Sequence, residues 1–292
     1  MDFIAKLSNL LQDPPPRYVY EFSEAGIAFA RGGETGWAPF EAGTLIASPV
    51  EDNLRRPDVV AAALARTLPE TSAKKGQPNK PRRAALILPD YAARVSVLDF
   101  DSFPASHEEQ LALVRFRLKK SLPFDVDSAA VSFYAQPSVA DKKDGKQEVV
   151  AAAVALEIIA RYEALFRAAN FHAGEVTTSG LACLHLFQSP LLSVIAKLAG
   201  RVLTVMVVQN GILKLFRCVE MESAGEEEIQ MVLYPTLAYI EDELGARADQ
   251  VILFPGGLLS GLQMRTDELR SRYGTPSAHN AGMYGYLEGA AN

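Results

Sequence analysis

The stretch "LTVMVVQNGILKLFR", Leu203 to Arg217, constrains the fold more than any other in the chain. An apolar run meets Asn210-Gly211, and a second alternating run leads away. Asn-Gly tolerates positive φ at both central positions of a two-residue turn, so the reading is a type I′ hairpin. A second hairpin is written in "RYVYEFSEAGIAFARGG": Tyr18, Tyr20 and Phe22 alternate with Val19 and Glu21, and Ala25-Gly26 is read as the turn.

Between and after the hairpins, strand and helix patterns alternate. Residues 54–68 predict a helix with Pro57 and Asp58 in its first turn and a stripe of Val60, Ala63, Leu64 and Leu68. "TSAKKGQPNKPRR" reads as a polar connection, and "AALILP" and "ARVSVLDFD" as strands. In "PASHEEQLALVRFRLKKSLPF", Ser106 and Glu109 read as a capping box, and Pro123 stops the helix. "AAVSFYAQP", the charged loop "DKKDGKQ", "EVVAAAVA" and a helix from Ile158 to Asn170 follow. "LLSVIAKLAG" reads as an apolar helix. "GEEEIQMVLYPTLAYIEDELG" is a helix with three acids at its positive end, Gly245 as C-cap and an expected kink at Pro235. "QVILF" is a buried strand, "LLSGLQMRTDELRSRYG" a helix and "HNAGMYGYLEGAAN" a weakly helical tail. The class is α/β with mixed sheets, and each half opens with a hairpin followed by a strand–helix unit.

Composition sets outer bounds. A chain of 292 residues can bury a large core in two lobes. A net charge of -6 argues against nucleic-acid binding, which draws on surplus Lys and Arg. Cys183 and Cys218 are read as buried free thiols. No apolar run approaches the ~20 residues of a membrane span, and the N-terminus lacks a signal-peptide pattern, so a cytoplasmic protein is expected. "MDFIAKLSNLLQ" groups Phe3, Ile4, Leu7, Leu10 and Leu11 on one helical face, read as packing against its own domain, with contact to a membrane or a partner as the alternative.

Chemistry-bearing motifs are sparse. Gly256-Gly257 in "QVILFPGGLLSGL" would let a ligand approach a helix N-terminus, or would merely make a strand-to-helix turn. Glu21 is the one hairpin carboxylate placed for Mg²⁺, against a reading as an outward residue of an edge strand. Asp99 and Asp101 read as an exposed pair at a strand end. His107, His172, His185 and His279 lack metal-ligand spacing. No nucleophile elbow, Walker loop or G-x-G-x-x-G is present, and Trp37 reads as a loop anchor.

The segment "AALILPDYAARVSVLDFDSFPASHEEQLALVRFRLKKSLPFDVDSAAVSFYAQP" resembles the inserted subdomain of PilM-type proteins, the actin-like cytoplasmic components of type IV pilus assembly. "EVVAAAVALEIIARYEALFRAANF" is similar to that family's return to its first large domain, "QVILFPGGLLSGLQMRTDELRSRYG" to its nucleotide-lobe turn, and the tail Ala281 to Ala290 to its closing helix. The resemblance implies an actin/Hsp70-like, RNase H-like two-lobed fold. Residues 1–83 and 138–186 would form the first lobe, 84–137 an inserted small subdomain, and 187–292 a second lobe lacking its usual insert. The family's Asp-Ile-Gly is Glu21, Phe22 and Ser23 here, its phosphate-facing Lys is Ala28, and the second phosphate loop is "SVIAKLAGR", with no acid. Glu21, Ser23, Gly26, Gly256 and Gly257 are thus the vestige of a nucleotide site, and ATP hydrolysis is not expected.

What the resemblance implies is a non-catalytic scaffold. It would bind the short cytoplasmic tail of a PilN-like bitopic membrane protein near residues 84–122, which would make it peripheral to the inner face of the cytoplasmic membrane. Membrane contact would come only through that partner, no metal or other cofactor would be needed, and self-association stays open. The alternative is an ATP-binding protein or ATPase using Mg²⁺, Glu21 and Gly256-Gly257. A GspL-like secretion domain shares the fold but normally continues into a membrane helix.

Overall fold

A computed structural model describes residues 16–68, 81–137, 146–187, 189–254 and 271–291. The "MDFIAKLSNLLQ" segment, most of "TSAKKGQPNKPRR", most of the 141–147 loop, Gly256-Gly257 and nearly all of the following helix reading lie outside the described residues.

Three strands start each large sheet by folding back on one another. In the first, β1 (Tyr18–Ser23), β2 (Gly26–Arg31) and β3 (Glu34–Pro39) form an antiparallel meander. After helix α1 (Pro57–Thr67), β4 (Arg82–Leu88) returns parallel to β1, and β8 (Phe171–Thr178) adds to β4, giving the order β3-β2-β1-β4-β8. The second sheet repeats the plan. The strands β9 (Ser193–Ala199), β10 (Val202–Gln209) and β11 (Ile212–Glu220) form a meander, and β12 (Gln250–Phe254) returns parallel to β9 after helix α5 (Glu226–Leu244). The echo between the two halves is therefore a repeated β-β-β-α-β unit.

Asn210 and Gly211 have φ of 51° and 75°, the paired left-handed conformation the I′ reading requires. In the first hairpin Ser23 pairs with Gly26, so Glu24 and Ala25 make the turn and Gly26 opens β2. A Cβ on Gly26 would lie 2.4 Å from the Ala38 carbonyl oxygen, so close approach of β3 accounts for this glycine.

Other readings are corrected as well. "SVIAKLA" is strand β9, not helix. It lies between β10 and β12 and is covered on both faces, so its apolar run is continuous and its periodicity cannot distinguish strand from helix. Ser106 stands at the N-cap of α2 (His107–Leu118), but its side chain makes no capping hydrogen bond. Helix α5 runs through Pro235, which sits on its exposed face, and ends at Gly245 in the left-handed conformation.

A small third sheet has the order β5-β7-β6, from β5 (Arg94–Phe100), β6 (Ala129–Ala135) and β7 (Gln147–Ala155). Sheet membership thus differs from the expected 84–137 insert: β4 pairs with β1 and β8, whereas β7 is the centre of the small sheet. Val149, Ala151 and Ala153 of β7 face a cluster with Val114 and Leu118 of α2. Val150, with Val95 and Val97, packs against Leu213 and Phe216 of β11. The small sheet is therefore sandwiched between its own helix and the second lobe.

Both faces of the first sheet are covered. Tyr20, Phe22, Leu86 and Leu88 pack against Val60 and Leu64 of α1 and Tyr162 and Phe166 of α3 (Leu156–Ala168). The other face meets α4 (Ser179–Cys183) and α6 (Ala281–Ala290), with Val19, Ala85 and Ile87 against Ala182, Met283 and Tyr284. On the second sheet, Val205 and Leu253 pack beneath Ile229, Leu233 and Ile240 of α5. Cys183 and Cys218 are free thiols.

Candidate functional site

The β1–β2 and β9–β10 hairpins present equivalent positions to one cleft. Glu21 lies two residues before Ser23, whose pairing with Gly26 closes the first hairpin. Lys197 lies two residues before Ala199, whose pairing with Val202 closes the other. A third charged group, Asp90, comes from the 3₁₀ turn Asp90–Ala92 directly after β4. Glu21, Asp90 and Lys197 are 1%, 4% and 3% exposed.

Lys197 Nζ donates to Asp90 Oδ2 at 3.0 Å, and Thr204 Oγ1 donates to the same oxygen at 2.9 Å. The Gly180 N–H donates to Asp90 Oδ1, so the carboxylate is held by one ammonium, one hydroxyl and one backbone amide. Glu21 is similarly occupied: Ser179 donates its hydroxyl to Oε1, and the Met283 N–H donates to Oε2 at 2.7 Å. Burial pushes the Glu21 carboxyl above its ordinary range, opposed by the nearby Lys197 charge. Burial alone would lower the Lys197 pKa, but Asp90 and Glu21 outweigh it and hold the ammonium above its usual value.

The space left among Glu21, Ser23, Asp90, Ser179, Lys197 and His279 is about 30 Å³. Small-molecule sites run to several hundred Å³. Ser23 donates its hydroxyl to the Gly26 carbonyl at 3.3 Å and lines this cleft beside Glu21. Gly26 is not part of the lining, and Gly256 and Gly257 are outside the described residues. Asp99 and Asp101 lie at the end of β5, away from the cleft. No group of three or more His, Cys, Asp or Glu suited to a metal occurs among the described residues.

Sequence reasoning missed Asp90, Lys197, Thr204 and Ser179. The available signal was Lys197 itself, the single charge inside an otherwise apolar run. A lysine in a run that must be buried needs a carboxylate partner.

The larger opening lies elsewhere, where all three sheets meet. A groove of about 740 Å³ runs between Tyr134 and Gln136 at the end of β6 and Glu175 and Thr177 of β8, with Leu184 and Tyr286 among its other walls. Strands β6 and β8 are each the last in their sheets, so two strand edges border this groove. Gly211, at the tip of the Asn-Gly turn, is at its rim. Tyr134 is 63% exposed, and the Tyr286 hydroxyl donates to Glu175. None of the lining comes from 84–122: Ala84 to Leu88 are interior, and α2 covers the opposite face of the small sheet.

No protein-family model and no curated protein matches the chain. Solved structures do. The PilM–PilN type IV pilus biogenesis complex superposes with a TM-score of 0.59 at 14% identity, over 82% of this chain and 81% of that one. The cytoplasmic domain of EpsL, an inner-membrane component of the type II secretion system of Vibrio cholerae, gives 0.53 at 11% identity, over 92% and 94%. The fold is actin-like. The cleft between the two hairpins is filled by the chain's own groups. An ammonium occupies the cleft, both Glu21 oxygens accept hydrogen bonds from the chain, and the remaining space among the described residues is about 30 Å³. Among the described residues, no helix is long and apolar enough to cross a membrane.

Proposed function

We propose that this protein is a non-catalytic scaffold of a pilus- or secretion-type inner-membrane assembly. In this reading it holds the short cytoplasmic tail of a PilN-like, single-span membrane protein in the groove between β6 and β8. The observation that carries the reading is the pairing of a filled interlobe cleft with an open groove bordered by two strand edges. Strand edges offer unpaired N–H and C=O groups to an extended peptide, and alternate side chains of that peptide would meet the apolar lining. The likeness to a PilM–PilN complex supports a partner of that kind. Binding of the tail would place the protein against the inner face of the membrane.

Isothermal titration against the cytoplasmic-tail peptide of a PilN-like single-span membrane protein tests the reading. Micromolar binding is expected, weakened about tenfold by Tyr134→Ala, whose side chain borders the groove. Phe116→Ala on α2, 70% exposed but outside the groove, leaves it unchanged. No heat at high micromolar peptide counts against the scaffold. A rise in Tm with Mg·ATP that Glu21→Ala abolishes would favour an ATP-binding protein instead.

A further inference from the structure

The two hairpin positions that face each other carry opposite charges. Glu21 stands across its hairpin from Ala28, and Lys197 across its own from Thr204. With Asp90, the cleft gathers two carboxylates and the hydroxyls of Ser179 and Thr204, an oxygen-rich set of the kind that surrounds a hard cation. The positive charge at its centre is supplied by the chain. Lys197 arrives from the second sheet, whereas Glu21 and Asp90 belong to β1 and the turn after β4, so the contact joins the lobes. Cys183, Cys218 and His279 are titratable neighbours of the cluster, facing it from helix α4, strand β11 and the segment before α6.

We propose that Lys197 is a tethered replacement for a bound cation, which keeps the two lobes closed in the absence of any nucleotide or metal ion. Its ammonium neutralises Asp90 and shields Glu21 at the point where a ligand would otherwise bridge the hairpins. Closure is then a constant of the fold.

The test compares wild type, Lys197→Ala, Lys197→Met and the double variant Asp90→Asn/Lys197→Met by thermal unfolding, in EDTA and in millimolar Mg²⁺, Ca²⁺ or Mn²⁺. Either single variant leaves Asp90 buried without its partner, and Tm falls by about 10 °C. In Lys197→Ala the vacated space admits an ion: at least one of the three cations restores half or more of the lost Tm. Elemental analysis after desalting then finds one ion per chain. Lys197→Met fills that space and shows no cation response, and wild type shows none. The double variant, which removes both charges, is more stable than Lys197→Met alone.

The proposal is overturned if Lys197→Ala keeps the wild-type Tm, if its lost Tm is regained with none of the cations, or if wild type itself is stabilised by them. Should Lys197→Ala fail to fold, the double variant decides: no gain over Lys197→Met refutes the charge-replacement account. Peptide titration at the β6–β8 groove does not enter these measurements, so the scaffold reading and this one can fail separately.

Discussion

Replacing Gln136 probes how the small sheet is fastened to the second lobe. Its side chain is 5% exposed, and its amide behaves like an extra strand residue. Nε2 donates to the Leu213 carbonyl and the Leu213 N–H donates to Oε1, both at 2.8 Å, covering the free edge of β11. Gln136→Ala orphans both backbone groups of a residue that is itself 4% exposed. Each orphan costs roughly 1–3 kcal/mol. The adjoining groove lets water reach the vacated space, which favours the lower end, so the sum is about 2–3 kcal/mol. That corresponds to a Tm loss of roughly 5–10 °C for a chain of this size. Gln136→Glu keeps the acceptor for the Leu213 N–H but sets a carboxylate against the Leu213 carbonyl, and costs at least as much. The assay is urea unfolding, paired with amide hydrogen exchange across Ile212–Glu220. A change below ~0.5 kcal/mol with unaltered protection at Leu213 would refute the reasoning. The neighbouring Lys214–Glu148 pair, 3.0 Å apart, spans the same contact, so Lys214→Ala combined with Gln136→Ala should depart from additivity.

Gly285→Ala would place a methyl 2.1 Å from the Ala182 carbonyl oxygen and 2.7 Å from the Cys183 Cα, where α6 lies backbone-to-backbone on α4. It should cost about 3 kcal/mol in denaturant unfolding, and Gly289→Ala, which meets only the His185 ring, distinctly less. Gly211→Ala forces a Cβ onto a φ of +75° and should lower stability by about 1 kcal/mol in urea, without loss of fold. The folded Glu21 carboxyl titrates above 4.5, so the native chain binds the extra proton between 4.5 and that higher value. The associated stability is complete below pH 4.5 and is lost as pH rises through the folded pKa. Glu21→Gln should therefore flatten the fall in Tm as pH rises above 4.5 relative to wild type, and parallel curves would contradict this.

Local rules carried the reading of local features. Asn210-Gly211, the acidic start and Gly245 end of α5, and the core stripe of α1 all rest on contacts within a few residues. The failure at β9 has the same origin: a strand covered on both faces offers no period to read. The cleft was hidden for another reason. Asp90 and Lys197 are 107 residues apart, and neither sits in a motif, so only the pairing of β4 with β1 and of β9 with β10 brings them together. The groove is a property of which strands end their sheets, and that order follows from pairing partners and not from any one strand's composition.

The order of synthesis adds a consequence of the way the last helix is used. Met283 and Tyr284 cover one face of β1, β2 and β4, and the Met283 amide holds Glu21, 262 residues earlier in the chain. During translation the first lobe emerges with Val19, Ala85 and Ile87 unshielded and with both of its cleft carboxylates lacking their counter-charge. It cannot be completed until Ala281–Ala290 has been made, although domains commonly fold as units from contiguous chain. Helix α6 is a keystone, and a nascent chain stopped before Ala281 would expose an apolar face for chaperones and proteases to find.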